Sequence, residues 1–223
     1  MRTFDAWTAP FGRSGPVRLP RARTASRRRG PSTAQVSWPP LPDDEEVRRQ
    51  LRLLAAVAGD LPPAATKSGM LATASLVHLV AGAIQGYGWS NYVCDPVMVA
   101  TSGDRLLDAN AEQVMRERLL PLATLVTPNL DEAEILTATE VRDLVQMEQA
   151  GRQLIARGAS AALVKGGHLP GDLMTDVLVS REGVRRYTHA RLHTTSTHGT
   201  GCTLSAAITA GLAAGRPLET AVT

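Results

Sequence analysis

From Asp43 onward, short apolar runs that each end in a polar turn alternate with stretches whose apolar residues recur at helical spacing. The runs are Ala64–Lys67, Tyr92–Cys94, Leu125–Val126 and Ala162–Val164. They are too short for helices and are followed by Gly69-Met70-Leu71, Asp95-Pro96, Thr127-Pro128-Asn129 and Lys165-Gly166-Gly167. Between them, Val47, Leu51, Leu54 and Ala58 share one helical face, as do Leu76, Leu79, Val80 and Ala83. Met147, Ala150, Gly151, Leu154 and Ile155 form a third such face. The pattern predicts one helix over 109–120, carrying Val114, Met115 and Leu119, and another opening in the acidic stretch Asp131–Glu134. Val177–Val179 and Val184–Tyr187 read as a hairpin around Glu182-Gly183. Such alternation predicts an α/β layered, largely parallel sheet. Ligands bind beyond the carboxyl ends of strands in open sheets of this kind, so Asp95, Asn129, Lys165 and Gly199–Cys202 should meet on one rim.

The stretch Thr197-His198-Gly199-Thr200-Gly201-Cys202 precedes a helical pattern running to about Ala214, with Leu218–Val222 starting a further one. Two glycines around Thr200 let the backbone turn with its N–H groups facing one point, and Cys202 falls in the first helical turn. The positive end of a helix dipole favours an anion and lowers a thiol pKa, so Cys202 is expected to be a usable base or nucleophile. Read locally, the same stretch is also an ordinary glycine turn with Cys202 as a small buried filler.

The net charge of +3 has a local source. Residues 1–31 hold eight arginines against one acid, Asp5, and the remainder is acidic, so the overall charge does not imply nucleic-acid binding. Met1 to about Pro40 lacks helical or strand periodicity and reads as a basic arm outside the fold, with the folded domain at 41–223. A transit peptide, a nucleic-acid arm, and sequence foreign to the fold are the three readings of that arm, and the third is favoured. Cys94 and Cys202 form no disulfide framework or metal-ligand spacing, which suits a reducing, cytoplasmic setting. No run of about 18 apolar residues predicts a membrane span, and there is no signal-peptide core.

The motifs THGTGC, DPVM (Asp95–Met98), TPNLDEAE (Thr127–Glu134), VKGGH (Val164–His168) and KSGML (Lys67–Leu71) occur in a fixed order. Together they resemble the hydroxymethylpyrimidine/phosphomethylpyrimidine kinases of the ribokinase-like superfamily, from about Leu41 onward. The resemblance implies a three-layer α/β/α fold with a mostly parallel sheet. The family's opening strand, Gly-rich turn and Gln-containing turn are not readable here, with Gly12, Gly15 and Thr33-Ala34-Gln35 as vestiges at most. The chain also stops inside a helical pattern, as a domain truncated at its C-terminus would.

The resemblance further implies ATP- and Mg²⁺-dependent phosphorylation of 4-amino-5-hydroxymethyl-2-methylpyrimidine and its monophosphate in thiamine biosynthesis. Pyridoxal kinase and an inactive remnant are the alternatives. Cys202 matches the family's base, and the amides of Gly199, Thr200 and Gly201 its anion hole. Lys165, Asn129 and Asp95 match the ATP-phosphate contacts. Glu132, with Asn129 and Asp95, matches the water-mediated Mg²⁺ set, and Met70 the methionine lining the pyrimidine pocket. Each residue has a plainer reading beside this one: Glu132 as a helix-start acid, Asp95 as a turn cap, Lys165 as a solvated lysine, Met70 as core packing. His198, His168 and Ser102-Gly103-Asp104 receive no role. The resemblance implies no nucleic-acid or membrane partner and is compatible with a homodimer.

Overall fold

The computed structural model describes residues 44–100, 103–167, 169, 171–191 and 199–223. Met1–Pro40, Ser102, His168 and Thr197-His198 lie outside the described residues. The strands are β1 (Thr66–Ser68), β2 (Tyr92–Cys94), β3 (Leu125–Val126), β4 (Ala162–Val164), β5 (Leu173–Ser180) and β6 (Gly183–Ala190). They form one sheet in chain order. β1 to β4 pair in parallel, and β5 and β6 are added antiparallel. The helices are α1 (Asp44–Asp60), α2 (Ala74–Gly86), α3 (Ala109–Val114), α4 (Leu130–Thr137), α5 (Leu144–Ala156), α6 (Thr200–Ala213) and α7 (Leu218–Val222).

Alternation along each strand divides the core into two faces. Tyr92, Cys94, Val126 and Ala162 pack with Val77, Ala81 and Ile84 of α2 and with Ala111 and Val114 of α3. Val164, Val177 and Val179 pack with Leu130 and Ala133 of α4 and with Met147 and Ala150 of α5. The intervening residues Val93, Leu125, Leu163 and Leu178 pack with Ile208 and Leu212 of α6. Helices therefore cover both faces, and the expected three-layer α/β/α arrangement with a mostly parallel sheet is present.

Three sequence expectations are corrected in detail. The face α2 buries is Leu76, Val77, Ala81 and Ile84, not Leu76, Leu79, Val80 and Ala83. That helix is apolar nearly all round, so periodicity does not say which side turns inward. The helix expected over 109–120 is α3, followed by a π-helical stretch Met115–Leu119 and a 3₁₀ turn Leu120–Leu122. Pro121 has no N–H to continue the α ladder, while Met115, Leu119 and Leu120 must all stay buried, and a widened turn reconciles the two. The hairpin is longer than its apolar centre, and Ser180 pairs with Gly183 so that Arg181-Glu182 make the turn. Most of the added β6 residues face solvent, which leaves them without an apolar signal.

Gly151 lies where α5 meets β5. A Cβ there would stand 2.5 Å from Val179 Cγ2. Gly151→Ala is expected to cost about 1–3 kcal/mol through overpacking. Thermal unfolding should show the loss, and adding Val179→Ala should recover part of it.

Candidate active site

The backbone brings the four parallel strand ends to one rim. The Asp95 N–H donates to Ser68 O at 3.1 Å, the Thr127 N–H to Cys94 O at 3.0 Å, and the Lys165 N–H to Pro128 O at 2.8 Å. Each polar turn is thereby fixed to the strand beside it. At the centre of the rim is Asp95, only 1% exposed. Its Oδ1 accepts from Thr127 Oγ1 at 3.1 Å and from Lys165 Nζ at 3.3 Å. Its Oδ2 accepts from Ser205 Oγ at 2.9 Å and faces Lys67 Nζ at 3.2 Å. Burial alone would push this carboxyl up, but the Lys165 and Lys67 ammonium groups, helped by Ser205, hold it below its ordinary value.

Glu132 starts α4 in a capping box. Asn129 Oδ1 accepts from the Glu132 N–H at 2.9 Å, and Glu132 Oε2 accepts from the Asn129 N–H at 2.8 Å. The Met98 N–H donates to Glu132 Oε1 at 3.4 Å. Burial pushes this carboxyl up to about 7, against the opposing pull of Lys165. Glu132 thus does what the plainer reading assigned, as a helix-start acid, and it also faces the Asp95–Lys165 pair.

α6 is entered through Gly199, whose φ of 78° is left-handed backbone that a glycine adopts without strain, and no side-chain hydrogen bond caps the helix. The helix leans closely on Lys165: a Cβ on Gly201 would lie 2.9 Å from its Nζ. Cys202 is exposed, which rules out the buried-filler reading. Its thiol pKa is raised, not lowered as the helix position predicts. Partial burial and the Asp95 carboxylate push it up, and Lys67 and Lys165 only partly offset them. A nearby full negative charge outweighs the partial charge of a helix end.

The rim therefore gathers Asp95, Lys165, Asn129, Glu132, Gly199, Thr200, Gly201 and Cys202. Lys165 is paired with Asp95 and 14% exposed, so it is no solvated surface lysine. Met70, beside Lys67 and Gly69, is 41% exposed and is not core packing. Sequence reasoning assigned nothing to Lys67, Thr127 or Ser205, although each bonds Asp95. Lys67 and Thr127 sit inside quoted motifs, and Ser205 lies one turn beyond Cys202 on the same helix, which was a usable signal. Behind the rim, the Gly166 N–H donates to Asp176 Oδ1 at 2.8 Å and ties the Lys165 turn to β5.

The sequence profile described as phosphomethylpyrimidine kinase matches residues 33–223. The chain belongs to the phosphomethylpyrimidine kinase family. It is similar to the hydroxymethylpyrimidine/phosphomethylpyrimidine kinase of Escherichia coli K12, at 48% identity over 168 residues, covering 75% of this chain and 62% of that protein. The crystal structure of phosphomethylpyrimidine kinase from Clostridium difficile 630 superposes with a TM-score of 0.70 at 32% identity, covering 81% of this chain and 72% of that one. Pyridoxal kinase of Bacillus subtilis, solved as an ADP complex, gives a TM-score of 0.74 at 36% identity, covering 81% of this chain and 67% of that one. This family member spans 62% of the length of the curated kinase it matches in E. coli. Among its described residues no helix is long and apolar enough to cross a membrane.

Proposed function

We propose that this phosphomethylpyrimidine kinase family member transfers the γ-phosphoryl group of ATP to 4-amino-5-hydroxymethyl-2-methylpyrimidine and to its monophosphate. The reaction would supply thiamine synthesis in the cytoplasm. The observation that carries the reading is the meeting of two lysines, one buried carboxylate, an N-terminal helix turn and an exposed cysteine at the ends of four parallel strands. Phosphoryl transfer needs cations and N–H donors around the phosphates, an aligned acceptor and a group to take its proton, and this set offers the cations, the N–H donors and a thiol for the proton.

In this reading Lys165 and Asn129 hold the nucleotide phosphates. The amides from Gly199 to Gly201 face the charge that grows on the γ-phosphoryl group, and Met70 flanks the pyrimidine. The acceptor oxygen forms a bond to the γ-phosphorus as the bond from that phosphorus to the β–γ bridging oxygen breaks, releasing ADP. The hydroxyl proton passes to the Cys202 thiolate, a form that partial burial and the Asp95 carboxylate disfavour and that Lys67 and Lys165 favour.

Among the described residues, no group of three or more His, Cys, Asp or Glu side chains is gathered to hold a metal ion. The oxygens of Asp95 and Glu132 already accept from protein donors. Such a set does not cage a cation, and Glu132, Asn129 and Asp95 would hold Mg²⁺ only through water, as suits a cation that keeps few protein ligands. When bound, Mg²⁺ supplies charge neutralisation on the phosphates.

Cys202→Ala tests the assignment. Turnover on the hydroxymethylpyrimidine should fall about 10²–10⁴-fold, the range for a lost general base. Wild-type turnover in the variant would contradict that role. The likeness to pyridoxal kinase makes pyridoxal the comparison acceptor, and higher turnover on pyridoxal would move the assignment to that substrate.

A further inference from the structure

Lys165 and Lys67 each bind one oxygen of the same Asp95 carboxylate, from opposite flanks. Lys165 stands against the first turn of α6, within 2.9 Å of where a Gly201 Cβ would be. Lys67 stands against the turn that carries Met70, with its Nζ 3.4 Å from where a Gly69 Cβ would be. Their charges also weigh differently on their neighbours. Lys165 acts on Glu132 and Asp176, while Lys67 acts on Cys202 more strongly than Lys165 does. One ammonium group thus stands on the α6 side of Asp95, and the other comes from β1, by the turn that carries Met70. Lys67 keeps a 20% exposed side chain there.

We propose that Lys67 binds the phosphate group of a pyrimidine monophosphate acceptor, and so sets the preference for a phosphorylated over an unphosphorylated substrate. This rests on the kinase reading above. A monophosphate acceptor brings a second anion next to the γ-phosphoryl group, and their repulsion must be offset before the phosphorus can be approached. Asp95 holds one ammonium group on each of its oxygens, one for each phosphate. In that second transfer an ionised acceptor oxygen forms a bond to the γ-phosphorus, the bond to the bridging oxygen breaks, and ADP leaves without a proton being taken from the acceptor.

The test compares wild type, Lys67→Met, Lys67→Arg and Lys165→Met, each checked for a cooperative thermal melt. ADP release is followed with ATP, Mg²⁺ and either hydroxymethylpyrimidine or its monophosphate, and binding of both acceptors is measured by calorimetry. Lys67→Met should lower kcat/KM for the monophosphate about 10- to 100-fold more than for the alcohol, the loss expected for one charged hydrogen bond. Lys67→Arg should restore most of that ratio, and Lys165→Met should weaken both acceptors' turnover alike. An unchanged ratio in Lys67→Met would overturn the proposal. If wild type releases no ADP with either acceptor, the kinase reading fails and calorimetry decides alone. Monophosphate binding that depends on Lys67 then upholds the assignment, whereas absent or Lys67-independent binding overturns it.

Discussion

Asp95→Ala is expected to lose about 3–5 kcal/mol of folding stability, the usual cost of removing one partner from a buried ion pair. The variant leaves the Lys67 and Lys165 ammonium groups facing each other across an empty site, with the Thr127 and Ser205 hydroxyls deprived of their acceptor. Urea unfolding should show the loss as a fall in midpoint. ADP release should fall below detection, since both phosphate-facing lysines lose their anchor. Asp95→Asn keeps the acceptor for one hydroxyl while removing the charge, and should lie between the two. The effect has a defined pH sign. A carboxyl held below its ordinary value binds fewer protons folded than unfolded, so its contribution is present above pH 3.8 and is lost as pH falls through the lowered value. Wild type should therefore lose stability into acid more steeply than Asp95→Asn.

Gly166→Ala is expected to be nearly as damaging, for a steric reason. A Cβ at Gly166 would overlap the Thr175 carbonyl of β5, and that neighbour is backbone, which has no rotamer to give. The turn after β4 and the strand beside it would have to separate, breaking the Gly166–Asp176 hydrogen bond. A cost of about 3 kcal/mol is expected, at the upper end of ordinary overpacking. Because Lys165 is the preceding residue, the KM for ATP should also rise. A variant with wild-type melting would show that β5 can shift freely, contrary to its antiparallel pairing with both β4 and β6.

Most of the parallel sheet was legible because β2, β3 and β4 are short apolar runs closed by turns, and those turns named Asp95, Asn129 and Lys165, while the glycine turn before α6 named Cys202. What stayed hidden depends on contacts distant in sequence. The inward face of α2 is chosen by the sheet it packs on, and the helix over 109–120 changes form because Pro121 follows residues that must remain buried. Ser205 has no local mark of function, since its partner Asp95 is on another strand end. The sign of the Cys202 pKa shift failed for the same reason. The helix end argues for a lowered value, and what reverses it is partial burial together with a carboxylate that follows β2. Glu132 shows the converse, a residue whose capping role was readable from its position three after Asn129.

The most direct test of the account is mass spectrometry of the products formed from ATP, Mg²⁺ and 4-amino-5-hydroxymethyl-2-methylpyrimidine by the full chain, with Cys202→Ala alongside. The account predicts the pyrimidine mono- and diphosphate with matching ADP from wild type, and little of the monophosphate from the variant. No phosphorylated pyrimidine from folded wild-type protein would contradict it.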